Sequence, residues 1–303
     1  MLKIKFILIL FLSFISNSFS QTKFDRFLTP SDTLNTSRRT AVYISEAAVG
    51  GLTLIALNQL WYADYERSNF HPINDNQEWL QMDKMGHMFS SYQLGRIGAS
   101  ALNWSGASKK EQLLYGSTLG FTFLTAVEVL DGFSKEWGFS WGDMIANGAG
   151  TGLYIGQELL WEEQRITLKY SFHQTKYAKL SPDKLGDGLL EELLKDYNGQ
   201  TYWLSFNIHS FLKNEQIPKW LNLAVGYGAD GMEFDYNEPA VNFVANKKRT
   251  RQFYLSLDVD LSRIETKSQV LRSIFDVLNV IKVPFPALEF NDKNDIKLHA
   301  IYF

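Results

Sequence analysis

The stretch Asp83-Lys84-Met85-Gly86-His87-Met88-Phe89-Ser90-Ser91-Tyr92-Gln93-Leu94-Gly95 places an acid, a base and a histidine within five residues, then continues in small and aromatic residues. Ser91, Gly95 and Ala99 recur every four residues, the interval at which side chains stack on one helix face. Stepping back from Ser91 by fours reaches His87 and then Asp83. The stretch therefore reads as a helix whose packing face is small in the middle and ionisable at its start.

Outward from it, the pattern is helical from Thr40 to Trp161, with helices expected at about 40–63, 83–103, 109–132 and 141–161. Ser108 with Glu111 and Ser140 with Asp143 read as capping boxes opening the third and fourth helices. Asn103 to Gly106 and Gly132 to Gly138 are the breaks. The third helix carries Gly116 and Gly120, the fourth Gly148, Gly152 and Gly156. A helical glycine costs about 1 kcal/mol against alanine, so these stripes imply close backbone approach between helices. Glu46, Arg96 and Glu128 interrupt the apolar runs and argue against four ordinary membrane spans.

Extending each stripe identifies candidate site residues. Gly120 leads through Leu124 to Glu128, with Asp131 three further on; Asp143, Asn147 and Thr151 adjoin the fourth-helix glycines. Asp83, His87, Glu128 and Asp143 are the candidates for acid–base work, and Asp83, His87, Glu128 and Asp131 for holding a divalent metal. Lys84 and Asn147 complete the polar network. Such groups are expensive to bury unless they pair. A purely structural reading stands beside each one: Asp83 and Asp143 as helix-start residues, Lys84 as their solvated partner, His87 as a satisfied buried histidine. A closed network that fixes helix register explains the set as well as chemistry does.

After Arg165 the period becomes two. Leu168, Tyr170 and Phe172, then Tyr202 to Ile208, Leu221 to Tyr227 and Phe253 to Val259 alternate apolar residues with polar or tiny ones. Lipid outside and a polar lumen inside would produce this pattern; so would a one-sided antiparallel sheet. The chain ends on Phe303 after an alternating segment, as barrel strands do, but Lys297 and His299 fall in register with it. Five or six strands are countable, where single-chain membrane barrels start at about eight. One more helix is expected near 268–281, and 181–199 reads as an acidic surface helix and loop. The fold class expected is α+β: a four-helix bundle packed by small residues, followed by an antiparallel, barrel-like β region. The divisions are a signal peptide over 1–20, a linker over 21–39, a helical domain over 40–163 and the β region over 164–303.

The signal peptide rests on Lys3 and Lys5, the apolar run Phe6 to Ile15, and small residues at Ser18 and Ser20, with cleavage after Ser20. There is no cysteine, so disulfides, thiolate chemistry, zinc–cysteine sites and a cysteine-borne lipid anchor are not expected. A net charge of −3 and a pI near 6.0 give no footprint for nucleic acid. The 15% aromatic content fits a membrane interface or glycan contact, and a large core equally.

Asp83-Lys84-x-x-His87, an acidic position at Glu128 to Asp131, and Ser140-Trp141-x-Asp143 before a glycine-rich helix resemble the YfiM-like family of predicted periplasmic lipoproteins, a domain of unknown function. The ordered spacing is also similar, more distantly, to VanZ-like membrane proteins. The resemblance covers roughly 80–160. It implies a helical core and an envelope location, and no reaction.

Three functions fit these features. The favoured one is an exported envelope protein, in the outer membrane or periplasm of a Gram-negative-type envelope, with a structural or binding role and with envelope lipid or envelope proteins as partners. The second is an envelope hydrolase acting on a lipid or glycan through Asp83, His87, Glu128 and Asp143. One histidine among several carboxylates suits a hard or borderline metal better than a three-ligand zinc site. The third is a lipid or small-ligand binder using the space between sheet and helices.

Overall fold

The structure is a computed structural model that describes residues 23–62, 65–233 and 249–303; the expected signal peptide and its cleavage site lie outside them. It is a mixed helix and sheet protein. The segment expected as a linker instead carries helix α1 (Lys23–Leu28), whose Asp25 accepts hydrogen bonds from Ser268 Oγ and Val270 N, both at 3.1 Å. Those donors open the late helix α7 (Gln269–Leu278), so α1 is pinned to the C-terminal half.

Helix α2 (Thr36–Leu57) starts at Asn35, which accepts from the Arg38 amide. Helices α3 (Met82–Trp104), α4 (Leu119–Asp131) and α5 (Trp141–Trp161) follow. α3, α4 and α5 pack against one another. α2 contributes Val42 as its buried residue, against Leu102 and Ala107. The single third helix expected over 109–132 is interrupted. Ser108 and Glu111 do form a complete capping box, but Gln112–Gly116 is a wide helical turn that ends in a bend before α4. The physical cause lies on α3. A Cβ on Gly95 would strike the Ser117 carbonyl, and one on Gly98 the Gly116 carbonyl, so α3 runs directly against the bulged backbone.

The glycines of α5 need correction. A Cβ on Gly152 or Gly156 would meet nothing within 4 Å, and one on Gly148 would touch only Phe121 at 3.9 Å. The buried face of α5 runs instead through Asp143, Ala146, Asn147, Gly150, Thr151 and Tyr154. Gly150 is the close-approach residue there, set against the Met88 carbonyl of α3, while Gly120 of α4 abuts the Ser91 backbone.

A two-residue parallel pairing of β1 (Pro72–Ile73) with β2 (Phe139–Ser140) ties the loop before α3 to the start of α5. The main sheet is antiparallel and six-stranded, in the order β3 (Ile166–Phe172), β4 (Gln200–Asn207), β5 (Leu221–Asp230), β6 (Thr250–Val259), β7 (Phe285–Asn291) and β8 (Ile296–Tyr302). It curls without closing into a barrel. Tyr302 of β8 reaches Thr201 Oγ1 of β4 at 3.0 Å, yet among the described residues β3 and β8 are not paired as strands. The segment after α7 instead takes up part of the β3 edge, where Tyr170 N donates to Val280 O and Lys282 N to Tyr170 O, both at 2.9 Å.

The concave face of the sheet is polar, aromatic or tiny. Lys169 and Asp258 are both fully buried there and pair at 2.9 Å, and Ser205 donates to Asp258 at 2.7 Å. Trp203, Ala224, Tyr254, Ala287 and Tyr302 form the adjoining cluster. The mismatch at the chain end resolves on this face. Lys297 and His299 point inward to Glu289, at 3.5 and 2.7 Å, and a register shift between His299 and Tyr302 turns Tyr302 inward as well. The convex face is apolar. Over β3 and β4 it is covered by α3, with Leu168 against Tyr92 and Tyr202 against Met82. Over β5 to β8 it is largely exposed among the described residues, apart from Tyr227 of β5, which packs against Leu80 and Met82. Leu223, Val225, Phe253, Leu255, Leu257, Phe290, Ile296, Leu298 and Ile301 are all exposed.

The region read as an acidic surface helix and loop holds α6 (Leu189–Lys195). Glu191 is exposed, but Glu192 is buried and accepts from Gln174 at 2.8 Å, while Leu189, Leu190 and Leu194 face outward.

Candidate functional site

The start of α3 is set by an unusual turn. Trp79, Leu80 and Gln81 have φ of 44°, 51° and 66°, three consecutive non-glycine residues in the left-handed region. Each such residue costs roughly 1–2 kcal/mol in backbone sterics. The turn is held by Tyr227, which donates to the Leu80 carbonyl at 2.5 Å, and by Gln81, which donates to Asn76 O at 3.0 Å. It delivers Met82 to the buried cluster beneath the sheet, and Asp83 and Lys84 to the seam between α3 and α5.

Lys84 is the hub of that seam. Its ammonium lies 2.5 Å from Asp75, 3.1 Å from Asp143 and 3.4 Å from Asp83. Burial opposes its charge, but the neighbouring carboxylates of Asp83, Asp143 and Asp75 outweigh that and raise its pKa. Asp75 comes from the loop after β1 and accepts from Ser140 Oγ at 2.7 Å. Despite its burial, the hydrogen bonds from Lys84 and Ser140 hold its carboxyl below the usual range.

Ser140 shows why the second capping box is only half formed. Its hydroxyl accepts from the Asp143 amide at 3.1 Å, but its own N–H donates to Glu128 Oε2 of α4 at 2.9 Å rather than to Asp143. The Asp143 carboxylate is thereby released to face Lys84. Burial, with the charge of Asp83 adding to it, pushes the Asp143 carboxyl up to about 8.

His87 sits one turn into α3. Its Nδ1 is 3.0 Å from Oδ1 of Asn147 on α5, and a ring nitrogen facing a carbonyl oxygen must be the donor. The other nitrogen, Nε2, stands 3.6 Å from Glu128 Oε1 and 3.9 Å from Asp83 Oδ1. Burial disfavours the imidazolium, but Asp83, Asp143 and Glu128 more than compensate and raise its pKa. Tyr197, from the loop after α6, closes one side by donating to Asp83 Oδ1 at 3.0 Å.

Asp83, Lys84, His87, Glu128, Asp143 and Asn147 thus lie in one continuous set of contacts. Asp131 is engaged elsewhere, accepting from Tyr62 at 2.5 Å. Two members were missed in the sequence. Asp75 sits in an aperiodic loop, where only its place in the run Asn74-Asp75-Asn76 marks it, and Tyr197 is brought in from beyond the helical region. In the sequence Ser140 shows as a helix cap and as part of the Ser140-Trp141-x-Asp143 pattern, not as a partner of Asp75 or Glu128.

Comparison with known families bears on this same segment. Residues 73–156 match the family described as predicted periplasmic lipoprotein (DUF2279). The family segment begins at Ile73 and ends at Gly156, so it contains Asp75, Asp83, Lys84, His87, Glu128, Asp143 and Asn147 and stops before the sheet. The family's description carries an exported, envelope location and no reaction. The resemblance to the YfiM-like family is compatible with this match, and the likeness to VanZ-like proteins finds no support. Comparison with curated proteins and with solved structures gives no match.

Proposed function

We propose that this is an exported envelope protein seated on lipid by the convex face of β5 to β8, with a structural or binding role. One observation carries the reading: the apolar residues of the convex face form continuous cross-strand rows, most of whose side chains are exposed. Val225, Leu255, Leu288 and Leu298 are paired in register across four strands, and Tyr227, Phe253, Phe290 and Ile296 form the next row. A soluble sheet turns its apolar face to the core and its polar face to water. Here the polar face is inside, with Lys169, Asp258 and Glu289 buried, while Leu298 is 77% exposed. A contiguous apolar patch of this kind marks a contact surface.

The helices favour the same occupant. Ile44, Val49, Leu52 and Ile55 of α2 are exposed, and both α2 and the run Lys109–Asp131 are long and apolar enough to cross a membrane. The expected signal peptide and the family description agree with an envelope location. The test is fractionation of cells producing the full chain. The mature protein, beginning at Gln21, is expected to stay with membranes through high-salt and carbonate washing. Full release into the soluble fraction would refute lipid seating.

The hydrolase reading is favoured by a different observation, the grouping of two carboxylates around Nε2 of His87. It requires turnover of an envelope lipid or glycan that is lost in His87→Gln and kept in a variant outside the seam, such as Lys110→Ala.

A further inference from the structure

Independently of lipid seating, the seam between α3, α4 and α5 has the donor set of a cation site. Three observations converge on it. The first is the orientation of His87. With Nδ1 facing the Asn147 carbonyl oxygen, Nε2 faces the carboxylates of Glu128 and Asp83 at distances too long for hydrogen bonds. Metal-bound histidines almost always donate their second ring N–H in this way. The second is spacing. Two ligand atoms each ~2.1 Å from a cation stand ~3.0–3.4 Å apart at octahedral or tetrahedral angles. Glu128 and Asp83 are within a few tenths of an ångström of that range from Nε2, and ligand atoms of Asp83, His87 and Asp143 lie within 4.8 Å of one another.

The third observation is independent of the ligands. Asn147 is fully buried, and its Nδ2 forms no hydrogen bond with any described residue. A buried orphan donor costs about 1–3 kcal/mol. It belongs to a side chain in direct contact with His87, so the unsatisfied donor lies at the cluster itself. Asp143 Oδ1 is likewise buried without a hydrogen bond, although it lies 3.1 Å from the Lys84 ammonium. Charge points the same way. Asp75, Asp83 and Asp143 surround the Lys84 ammonium, while Glu128 and Asp83 flank Nε2 of His87, so carboxylates outnumber the basic groups of the seam.

We propose that Asp83, His87, Glu128 and Asp143 bind one divalent transition cation through Nε2 of His87 and the three carboxylates. One imidazole nitrogen with carboxylate oxygens suits Mn2+, Fe2+ or Zn2+ and disfavours Ca2+ and Mg2+. The cation would clasp the starts of α3 and α5 to the end of α4.

The test uses the full mature chain in detergent, stripped with chelator and titrated with Mn2+ and, separately, with Zn2+. One cation per chain is expected, with a raised unfolding temperature. In the Mn2+ form, pulsed electron paramagnetic resonance should show a directly coupled nitrogen that changes when histidine is labelled with 15N. His87→Gln should abolish that coupling and weaken binding at least tenfold, while Asp131→Asn should change affinity less than threefold. The labelling arm keeps the test decisive if His87→Gln does not fold. Stripped protein that binds neither cation, wild-type Mn2+ with no histidine coupling, or coupling that persists in folded His87→Gln would each overturn the proposal.

Discussion

Nδ1 of His87 on α3 and Oδ1 of Asn147 on α5 lie 3.0 Å apart, and this single bond fixes which ring nitrogen faces Asp83 and Glu128. Asn147→Ala removes it and strands the His87 N–H. A loss of roughly 1–3 kcal/mol is expected from an unsatisfied buried group. Loss of a partner outside the ligand set should also weaken cation binding about 10- to 100-fold. Denaturant unfolding and Mn2+ titration read the two effects separately; wild-type values for both would show that the bond orients nothing.

His87 and Glu128 should behave as one unit. Each single change, His87→Ala or Glu128→Gln, leaves the other group buried beside a missing partner. The double variant should therefore lose less than the sum of the singles, by about 0.5–3 kcal/mol. Strictly additive losses in thermal or denaturant unfolding would mean that the two residues are separate structural groups.

The glycines separate by face. Gly120→Ala and Gly150→Ala push a methyl group into the Ser91 backbone and the Met88 carbonyl respectively, and should cost at least about 1–3 kcal/mol as overpacking. Gly152→Ala meets nothing within 4 Å and should gain up to about 1 kcal/mol from helix propensity. Similar losses at all three positions would contradict the assigned packing face of α5.

Position explains which of these glycines could be recognised in the sequence. Four-residue steps from Ser91 to His87 and Asp83, and from Gly120 to Glu128, located most of the seam, because an α-helix carries such steps along one face. The same rule misplaced Gly148, Gly152 and Gly156. A helix bearing several small residues has more than one small stripe, and only the partner's surface selects Gly150. The α3 turn was not legible, since none of Trp79, Leu80 and Gln81 is a residue that favours positive φ. Tertiary contacts to Tyr227 and Asn76 hold it there. Alternation revealed four sheet strands and the terminal segment. β7 was not named because Pro284 and Pro286 break its pattern. The direction of the faces was left open by alternation, which is the same whether the polar side points in or out.

Lys282 tests the polar interior of the sheet. It is fully buried, with its ammonium 4.7 Å from the Trp203 ring, and burial pushes its pKa down to about 8, with Lys169 adding repulsion and Asp258 opposing the shift. A lysine with a lowered folded-state pKa binds fewer protons when folded, so its contribution to stability rises with pH between about 8 and the unfolded value of about 10.4. Lys282→Met should remove that rise and stabilise the protein at pH 7. Parallel stability–pH curves for the two proteins across this window would show that Lys282 is not desolvated.

The most direct measurement of lipid seating exploits the absence of cysteine in the chain. Leu255→Cys and Leu298→Cys place a single label on the convex face, and Lys293→Cys places one in the β7–β8 turn. With an environment-sensitive fluorophore on each and the protein reconstituted in liposomes, labels at 255 and 298 should be quenched by brominated acyl chains and shielded from aqueous iodide. The label at 293 should show the reverse. Quenching of the 255 and 298 labels by iodide and not by brominated lipid would contradict the seating of this face in a membrane.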